Sequence, residues 1–142
     1  MIRAIGAGSG GSVYLCRLLT GPHKDALVAV KRSVRQSLER KALAALQAHP
    51  LIVKMVGWMP SGLEQGETVL LMMEVVQGRE LFDVINDCEM TYSQIHNIFW
   101  QLVDCLDHIH HNGLVHGDLK PENIMIQSDY TIKLIDFGMC RK

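Results

Sequence analysis

The most informative stretch of the sequence is HGDLKPEN at residues 116–123, which is followed by DFG at residues 136–138. The first motif contains an aspartate, a lysine and an asparagine, and the second adds another aspartate thirteen positions after that asparagine. Each of these residue types is also common in turns, so the inference depends on their occurring together. Phosphoryl transfer needs a carboxylate for the attacking hydroxyl, a cation for the phosphate and oxygen ligands for Mg²⁺. The stretch therefore indicates this chemistry.

The residues between the two motifs have the pattern of a short β-hairpin. Apolar residues dominate 124–127 and 130–135, and the Ser-Asp pair between them favours a turn. An antiparallel hairpin begins and ends at the same edge. We therefore expect Asn123 and Asp136, which flank the hairpin, to lie at the same end of a pocket.

A second motif, GAGSGGSV at residues 6–13, contains the spacing G-x-G-x-x-G. This spacing alone is a weak signal, because dinucleotide-binding folds share it. Those folds need a helix directly after the glycines. Here residues 13–16 alternate like a strand, residues 20–23 favour a turn, and residues 27–31 form another apolar run. The sequence therefore predicts a β-hairpin lid over phosphates and disfavours a dinucleotide-dependent oxidoreductase.

Taken together, the glycine-rich loop, VAVK at residues 28–31, HGDLKPEN and DFG resemble the motifs of eukaryotic protein kinases. The resemblance implies a role for each polar residue of the two loops. Asp118 would orient and deprotonate the acceptor hydroxyl. Lys120 would neutralise the γ-phosphate and favour a serine or threonine acceptor. Asn123 and Asp136 would hold Mg²⁺.

The same resemblance implies an ATP site beneath the glycine-rich loop. Lys31 would hold the α- and β-phosphates, and Glu39 would orient Lys31. Met73, unless it is simply a core residue, would lie behind the adenine, and Glu80 would meet the ribose. The residues assigned to the nucleotide are Gly6, Gly8, Gly11, Val13, Ala29, Lys31, Met73, Glu74, Val76, Glu80 and Met125.

Glu39 has two alternative partners. A helix is expected to begin near Ser37 and to end by residues 49–50. Its apolar face would be shared by Glu39, Leu43 and Leu46. An acid on such a face needs a cation, either Lys31 in the catalytic arrangement or Arg35 on a solvated face. Only eight positions separate Lys31 from Glu39, fewer than in typical kinases, but an extended segment of that length reaches about 26–29 Å.

The clearest helix is predicted for residues 91–111, with a capping box at its start and Asn112-Gly113 as its stop. A continuous apolar stripe is expected from Ile95, Ile98, Phe99, Leu102, Leu106 and Ile109. We expect a partner, or a missing C-terminal half of the domain, to cover this stripe. The histidines at 108, 110 and 111 would suit a metal, but the helix dipole alone also favours histidine there.

Three departures from the family pattern carry expectations. Gly10 replaces a frequent aromatic residue at the loop tip, which predicts a lid that shields phosphates less well. Gly117 replaces an arginine that commonly contacts a phosphorylated activation loop. This replacement argues against control by activation-loop phosphorylation. The sequence ends at residues 139–142, directly after DFG. Residues 1–142 alone are therefore expected to bind nucleotide far better than they transfer phosphate, and to self-associate or need a partner.

Composition favours a globular, intracellular protein. Of the 142 residues, 48% are hydrophobic and 20% are charged, which is typical of a folded domain. The net charge of −1 gives no argument for nucleic acid or an anionic membrane. The N-terminus lacks a secretion signal, and no apolar run is long enough to span a membrane. The four cysteines lack metal-site spacing, so reduced thiols are expected in a cytoplasmic protein, with the nucleus as an open alternative.

The predicted fold is therefore α+β and kinase-like: an antiparallel five-strand N-lobe with one helix, a hinge, and a partial, mainly helical C-lobe. The expected ranges are 1–73, 74–82 and 83–142, and residues 51–56 and 68–73 are further strand candidates in the N-lobe. The predicted function is transfer of the ATP γ-phosphate to a protein serine or threonine with Mg²⁺. The alternative is a non-catalytic, pseudokinase-like nucleotide-binding or regulatory fragment.

Overall fold

The computed structural model describes residues 1–8, 11–34, 38–61, 68–87 and 90–142. Four expectations fall partly or wholly outside these ranges. They concern the loop tip at Gly10, the alternative partner Arg35, the helix cap Ser37 and the thiol of Cys88. Within the described ranges, no helix is both long enough and apolar enough to cross a membrane.

The first layer is a five-stranded antiparallel sheet, as predicted. The strands are β1 Arg3–Gly8, β2 Gly11–Arg17, β3 Leu27–Val34, β4 Met55–Pro60 and β5 Thr68–Glu74. They follow the order β1-β2-β3-β5-β4. Alternate residues of β5, including Val69, Leu71 and Met73, are buried, because one face of the sheet packs on the core.

One helix, α1 at Leu38–Ala45, packs against this sheet, but it ends earlier than the predicted residues 49–50. The predicted strand at residues 51–56 is also wrong, since β4 begins only at Met55. Residues 51–53 instead join the second layer: Val53 N–H donates to Leu134 O at 3.0 Å, and Leu134 N–H donates to Leu51 O at 2.8 Å. The apolar run is thus buried between the layers, a tertiary arrangement that a local pattern cannot distinguish from a strand.

The second layer combines a three-stranded sheet with helices. The expected hairpin between the two motifs forms, and its strands pair antiparallel. A two-residue strand and a six-residue helix were missed, because such short elements show no readable periodicity. In chain order the elements are β6 Arg79–Glu80, α2 Leu81–Asn86, α3 Tyr92–His111, a 3-10 turn at Pro121–Asn123, β7 Ile124–Ile126 and β8 Ile132–Leu134.

The long helix α3 confirms the predicted capping box, in which Thr91 Oγ1 accepts from the Gln94 backbone N–H and the Gln94 side chain accepts from the Thr91 backbone N–H. The expected continuous stripe is divided, however. Ile98 and Ile109 are buried, whereas Ile95 and Phe99 are 50% and 58% exposed. Leu102 and Leu106 are partly buried against the core, so two of the six stripe residues remain at the surface.

Three cysteines lie within the described ranges. Cys16, Cys105 and Cys140 are free, and the last two are buried. Burial raises the pKa of the Cys105 thiol to about 12, so this group stays protonated and unreactive at neutral pH. Cys105 therefore has a packing role.

Candidate active site

The candidate site is a cleft of about 820 Å³ between the two layers. This volume is within the usual range for small-molecule sites. Its walls come from β1–β3, from the connection after β5, and from the segments that flank β7 and β8. The predicted residues that line it are Gly6, Gly11, Val13, Ala29, Lys31, Glu39, Met73, Glu74, Val76, Glu80, Lys120, Asn123, Met125 and Asp136.

Gly8 pairs with Gly11 at the end of the β1–β2 ladder. Asp118 lies beside the wall, where it contacts Lys120 and Asn123.

Lys31 lies at the centre of the charged part of the cleft. Its Nζ donates to Glu39 Oε1 at 2.7 Å and to Asp136 Oδ1 at 2.6 Å. Burial opposes the ammonium charge, but the hydrogen bonds to Asp136 and Glu39 outweigh burial and raise the pKa of Lys31. The structure therefore brings together three side chains that are separated by as many as 105 positions in sequence.

Glu39 reaches Lys31 in spite of the short connection, because it is the second residue of α1 and this end of the helix faces β3. Its second oxygen, Oε2, accepts from Ser33 Oγ at 3.0 Å. Only 4% of the Glu39 side chain is exposed. Glu39 is thus buried and paired with Lys31, which is the first of its two predicted partners. Ser33, which the sequence analysis missed, lies two positions after Lys31 on the same face of β3.

Asp118 is held by two neighbours in the loop. Lys120 Nζ lies 2.8 Å from Asp118 Oδ2, and Asn123 Nδ2 donates to Asp118 Oδ2 at 3.0 Å and to Asp118 O at 2.8 Å. The hydrogen bond from Lys120 is the main reason that the pKa of Asp118 lies below its usual value. The same contact raises the pKa of Lys120. At neutral pH the pair is therefore a carboxylate beside an ammonium.

Asn123 and Asp136 have oxygens suited to a divalent cation. Both donor contacts of the Asn123 side chain use Nδ2, so its Oδ1 accepts no hydrogen bond from the described residues. Asp136 Oδ1 accepts from Lys31 and from Gly138 N–H, while its Oδ2 has no such bond within the same ranges. Ile135 N–H donates to Asn123 O at 2.9 Å and holds the two segments together. Mg²⁺ prefers a few carboxylate or amide oxygens completed by water and phosphate, which fits this pair.

No group of three or more His, Cys, Asp and Glu side chains among the described residues is arranged to hold a metal ion. This includes the histidines at the end of α3. One of them, His108, packs against His49 with ring centroids 4.9 Å apart and the rings tilted by 37°.

His116 connects the two motifs. Its Nδ1 accepts from Asp118 N–H at 3.3 Å, which places the ring hydrogen on Nε2, 3.2 Å from Ile135 O. The ring also contacts Phe137 edge-on, with centroids 4.8 Å apart. Burial lowers the pKa of His116, so the ring is neutral at neutral pH. It acts as a packing and hydrogen-bonding group.

Gly117 allows residues 139–141 to pass close to the HGDLKPEN loop at residues 116–123. Its φ is +81°, and a Cβ there would overlap the carbonyl oxygen of Met139. Val115, two positions before Gly117, and Arg141, two positions after Met139, are joined by two backbone hydrogen bonds. Val115 N–H donates to Arg141 O at 2.7 Å, and Arg141 N–H donates to Val115 O at 3.0 Å. With the backbone in this position, only glycine fits between the two segments.

Replacing Gly117 with alanine is therefore expected to lower the melting temperature by more than the left-handed backbone alone accounts for. A non-glycine residue in this region costs about 1–2 kcal/mol, and here the Met139 backbone must also move. Gly113→Ala is the matched control, since Gly113 has φ +68° but nothing within 4 Å of its added Cβ. Thermal unfolding of both variants measures the difference. Equal losses would show that the overlap at Gly117 has no energetic consequence.

Comparison with known proteins agrees with this geometry. The family model described as protein kinase domain matches residues 1–142. Among curated proteins, the chain is 33% identical over 98% of its length to sperm motility kinase 2B of Mus musculus, of which it covers 29%. It is 30% identical over its whole length to ribosomal protein S6 kinase alpha-2 of Mus musculus, and 31% to ribosomal protein S6 kinase alpha-6 of Danio rerio, covering 20% of each. The chain thus spans less than a third of the length of these relatives.

Proposed function

Because this chain belongs to the protein kinase family, we propose that it transfers the γ-phosphate of ATP to a serine or threonine hydroxyl of a protein, with Mg²⁺. The observation that carries this proposal is the contact of Lys31 with both Glu39 and Asp136. This contact places a fixed cation beside a proposed metal ligand inside the cleft. Such a cation is what a triphosphate needs at its non-transferred phosphates.

The proposed nucleotide site has an apolar and a polar part. Val13 and Ala29 on one side and Met125 on the other would hold the adenine between them. Its edge would meet the backbone of Glu74 and Val76. Met73, which is 8% exposed, would close the back of this part and also belongs to the core.

The polar part would orient the phosphates. Gly6 and Gly11 leave room for backbone N–H groups to approach them. Glu80 would accept from the ribose. Its pKa is raised by partial burial and by the charges of Asp83 and Glu122, which a cationic or hydroxyl-bearing ligand would offset.

In the proposed reaction, Asp118 orients the acceptor hydroxyl and receives its proton. Lys120, 2.8 Å from Asp118, stabilises the negative charge of the transferring group. Asn123 and Asp136 would hold Mg²⁺, which neutralises phosphate charge when it is bound. Because the pKa of Asp118 is low, its main contribution is to align the hydroxyl, with proton acceptance late in the transfer.

The competing function is a non-catalytic binding module. A module that only holds nucleotide has no need for the contact between Asp118 and Lys120. In this structure that contact is present beside the cleft, together with the Lys31 contacts. This supports catalysis over simple binding.

The division of the chain and its partners are also proposals. We propose an N-lobe at residues 1–73, a hinge at 74–82 and a C-lobe portion at 83–142, supported by the end of β5 at Glu74 and the start of α2 at Leu81. A protein substrate and an intracellular location belong to the same proposal. So does a partner or a further part of the domain that covers the exposed residues of α3, such as Phe99.

Calorimetric titration of ATP with and without Mg²⁺ tests the proposed function. ATP is expected to bind more tightly with Mg²⁺ and to raise the melting temperature by mass action. Asp136→Asn should reduce the effect of Mg²⁺ while adenosine binding changes little, because Asp136 faces phosphate and adenosine has none. Absence of ATP binding to the folded chain would contradict the proposal.

A further inference from the structure

The segment at residues 74–78, in which the backbone of Glu74 and Val76 would meet the adenine edge, is attached at both of its ends to the hairpin β7–β8. At its far end, Gly78 has φ +144°, and a Cβ there would overlap the carbonyl oxygen of Ile126. The next two residues form β6 and pair with β7, Arg79 opposite Ile126 and Glu80 opposite Met125. This end of the segment therefore lies directly against the backbone of β7.

The near end of the segment is attached to β8 by an ion pair. Glu74, the last residue of β5, accepts from Lys133 Nζ at 2.8 Å through Oε1. The same oxygen accepts from the backbone N–H of Lys54 at 2.9 Å. Lys133 is only 12% exposed and Glu74 is 30% exposed, so the pair is partly shielded from water. A shielded pair is screened less by salt than an exposed one.

The hairpin that receives both attachments also carries the two proposed metal ligands. Asn123 immediately precedes β7, and Asp136 follows β8 by two positions. The hydrogen bond from Ile135 N–H to Asn123 O closes the hairpin at that end. One short hairpin therefore connects the proposed adenine-reading segment to the proposed Mg²⁺ ligands.

We propose that Lys133 is a positioning residue that couples adenine recognition to Mg²⁺ binding through its ion pair with Glu74. This inference rests on the proposed nucleotide-binding function and adds a residue that the kinase motifs quoted above do not include. Without the ammonium of Lys133, the segment after β5 keeps its attachment at Gly78 but loses the one at Glu74. The segment can then shift relative to Asn123 and Asp136, so adenine and metal-bound phosphates no longer fit their sites at the same time.

The test uses Lys133→Met in the 142-residue chain and measures the affinities of adenosine, ATP and ATP with Mg²⁺ by calorimetry. The informative quantity is the ratio of the ATP dissociation constants without and with Mg²⁺. This ratio is expected to fall about threefold or more in Lys133→Met, while adenosine affinity changes less. Lys133→Arg keeps the cation and should restore most of the ratio, which loss of packing alone would not explain.

Lys54→Met is the matched control. It makes the same substitution next to Glu74, but the Lys54 side chain is exposed and only its backbone contacts Glu74. Its ratio should equal that of the unchanged chain. If Lys133→Met does not fold, Glu74→Gln, which keeps the side-chain length and can still accept from Lys54, is measured with the same expectation.

The outcomes separate this inference from the proposed function. If the unchanged chain binds ATP more tightly with Mg²⁺ and Lys133→Met keeps that ratio, the coupling role is wrong and the proposed function stands. An equal fall of the ratio in Lys54→Met would also overturn the coupling role. If the unchanged chain binds no ATP, the proposed function and the coupling role fall together.

Discussion

Lys31→Met is expected to weaken ATP binding by about tenfold to a hundredfold, since it removes charge-assisted hydrogen bonds of about 1.5–3 kcal/mol. It should also lower the free energy of unfolding, because it leaves the 4%-exposed Glu39 carboxylate without its cation. Breaking one partner of a buried pair costs about 3–5 kcal/mol. Isothermal titration and denaturant unfolding of the same variant measure the two effects. Lys41→Met, an exposed position on α1, is the control.

A double-mutant cycle with Glu39→Gln identifies the partner of Glu39. If the 2.7 Å contact between Glu39 and Lys31 governs ATP affinity, the two substitutions should be strongly non-additive, with a coupling energy of about 0.5–3 kcal/mol. Additive effects on ATP affinity would mean that Glu39 does not orient Lys31. That result would favour the solvated alternative with Arg35.

Residues 1–142 alone are expected to transfer little phosphate, so transfer rates are measured after the further part of the domain is supplied, in the same chain or as a complementing fragment. In that sample Asp118→Asn is expected to slow phosphate transfer by about 10²–10⁴-fold, the full contribution of a positioned general base. Asparagine keeps the size of the side chain and an oxygen that can accept from Lys120, so ATP affinity should change little. Single-turnover transfer from ATP to a serine peptide measures the rate, and the same peptide with tyrosine tests the predicted acceptor.

Asp107→Asn is the matched control, because Asp107 lies exposed on α3, where it pairs with His111 outside the cleft. Its transfer rate should equal that of the unchanged chain. A transfer rate in Asp118→Asn close to that of this control would remove Asp118 from the proposed mechanism. If ATP still bound with Mg²⁺, the non-catalytic alternative would then be favoured.

Local signals in the sequence predicted the elements that are specified by a contact between near neighbours or by a short repeat of apolar residues. The capping box at Thr91 and Gln94 needs residues only three positions apart, and the alternation in β5 repeats every two residues. The hairpin after Asn123 was predicted for the same reason. The predictions failed where the same local pattern is compatible with two different tertiary structures. Residues 51–53 have a strand-like composition, but they are buried against Leu134 of the other layer.

The sequence by itself determined the chemical types available to the site, because the order of Asp118, Lys120, Asn123 and Asp136 can be read without coordinates. Only the tertiary structure decided which of the residues meet. The contact between Lys31 and Asp136 joins positions 105 apart, and that between Glu74 and Lys133 joins positions 59 apart. The physical reason is that such contacts depend on how the two layers pack. Packing is set by the burial of many apolar side chains together, and no single stretch of sequence records it.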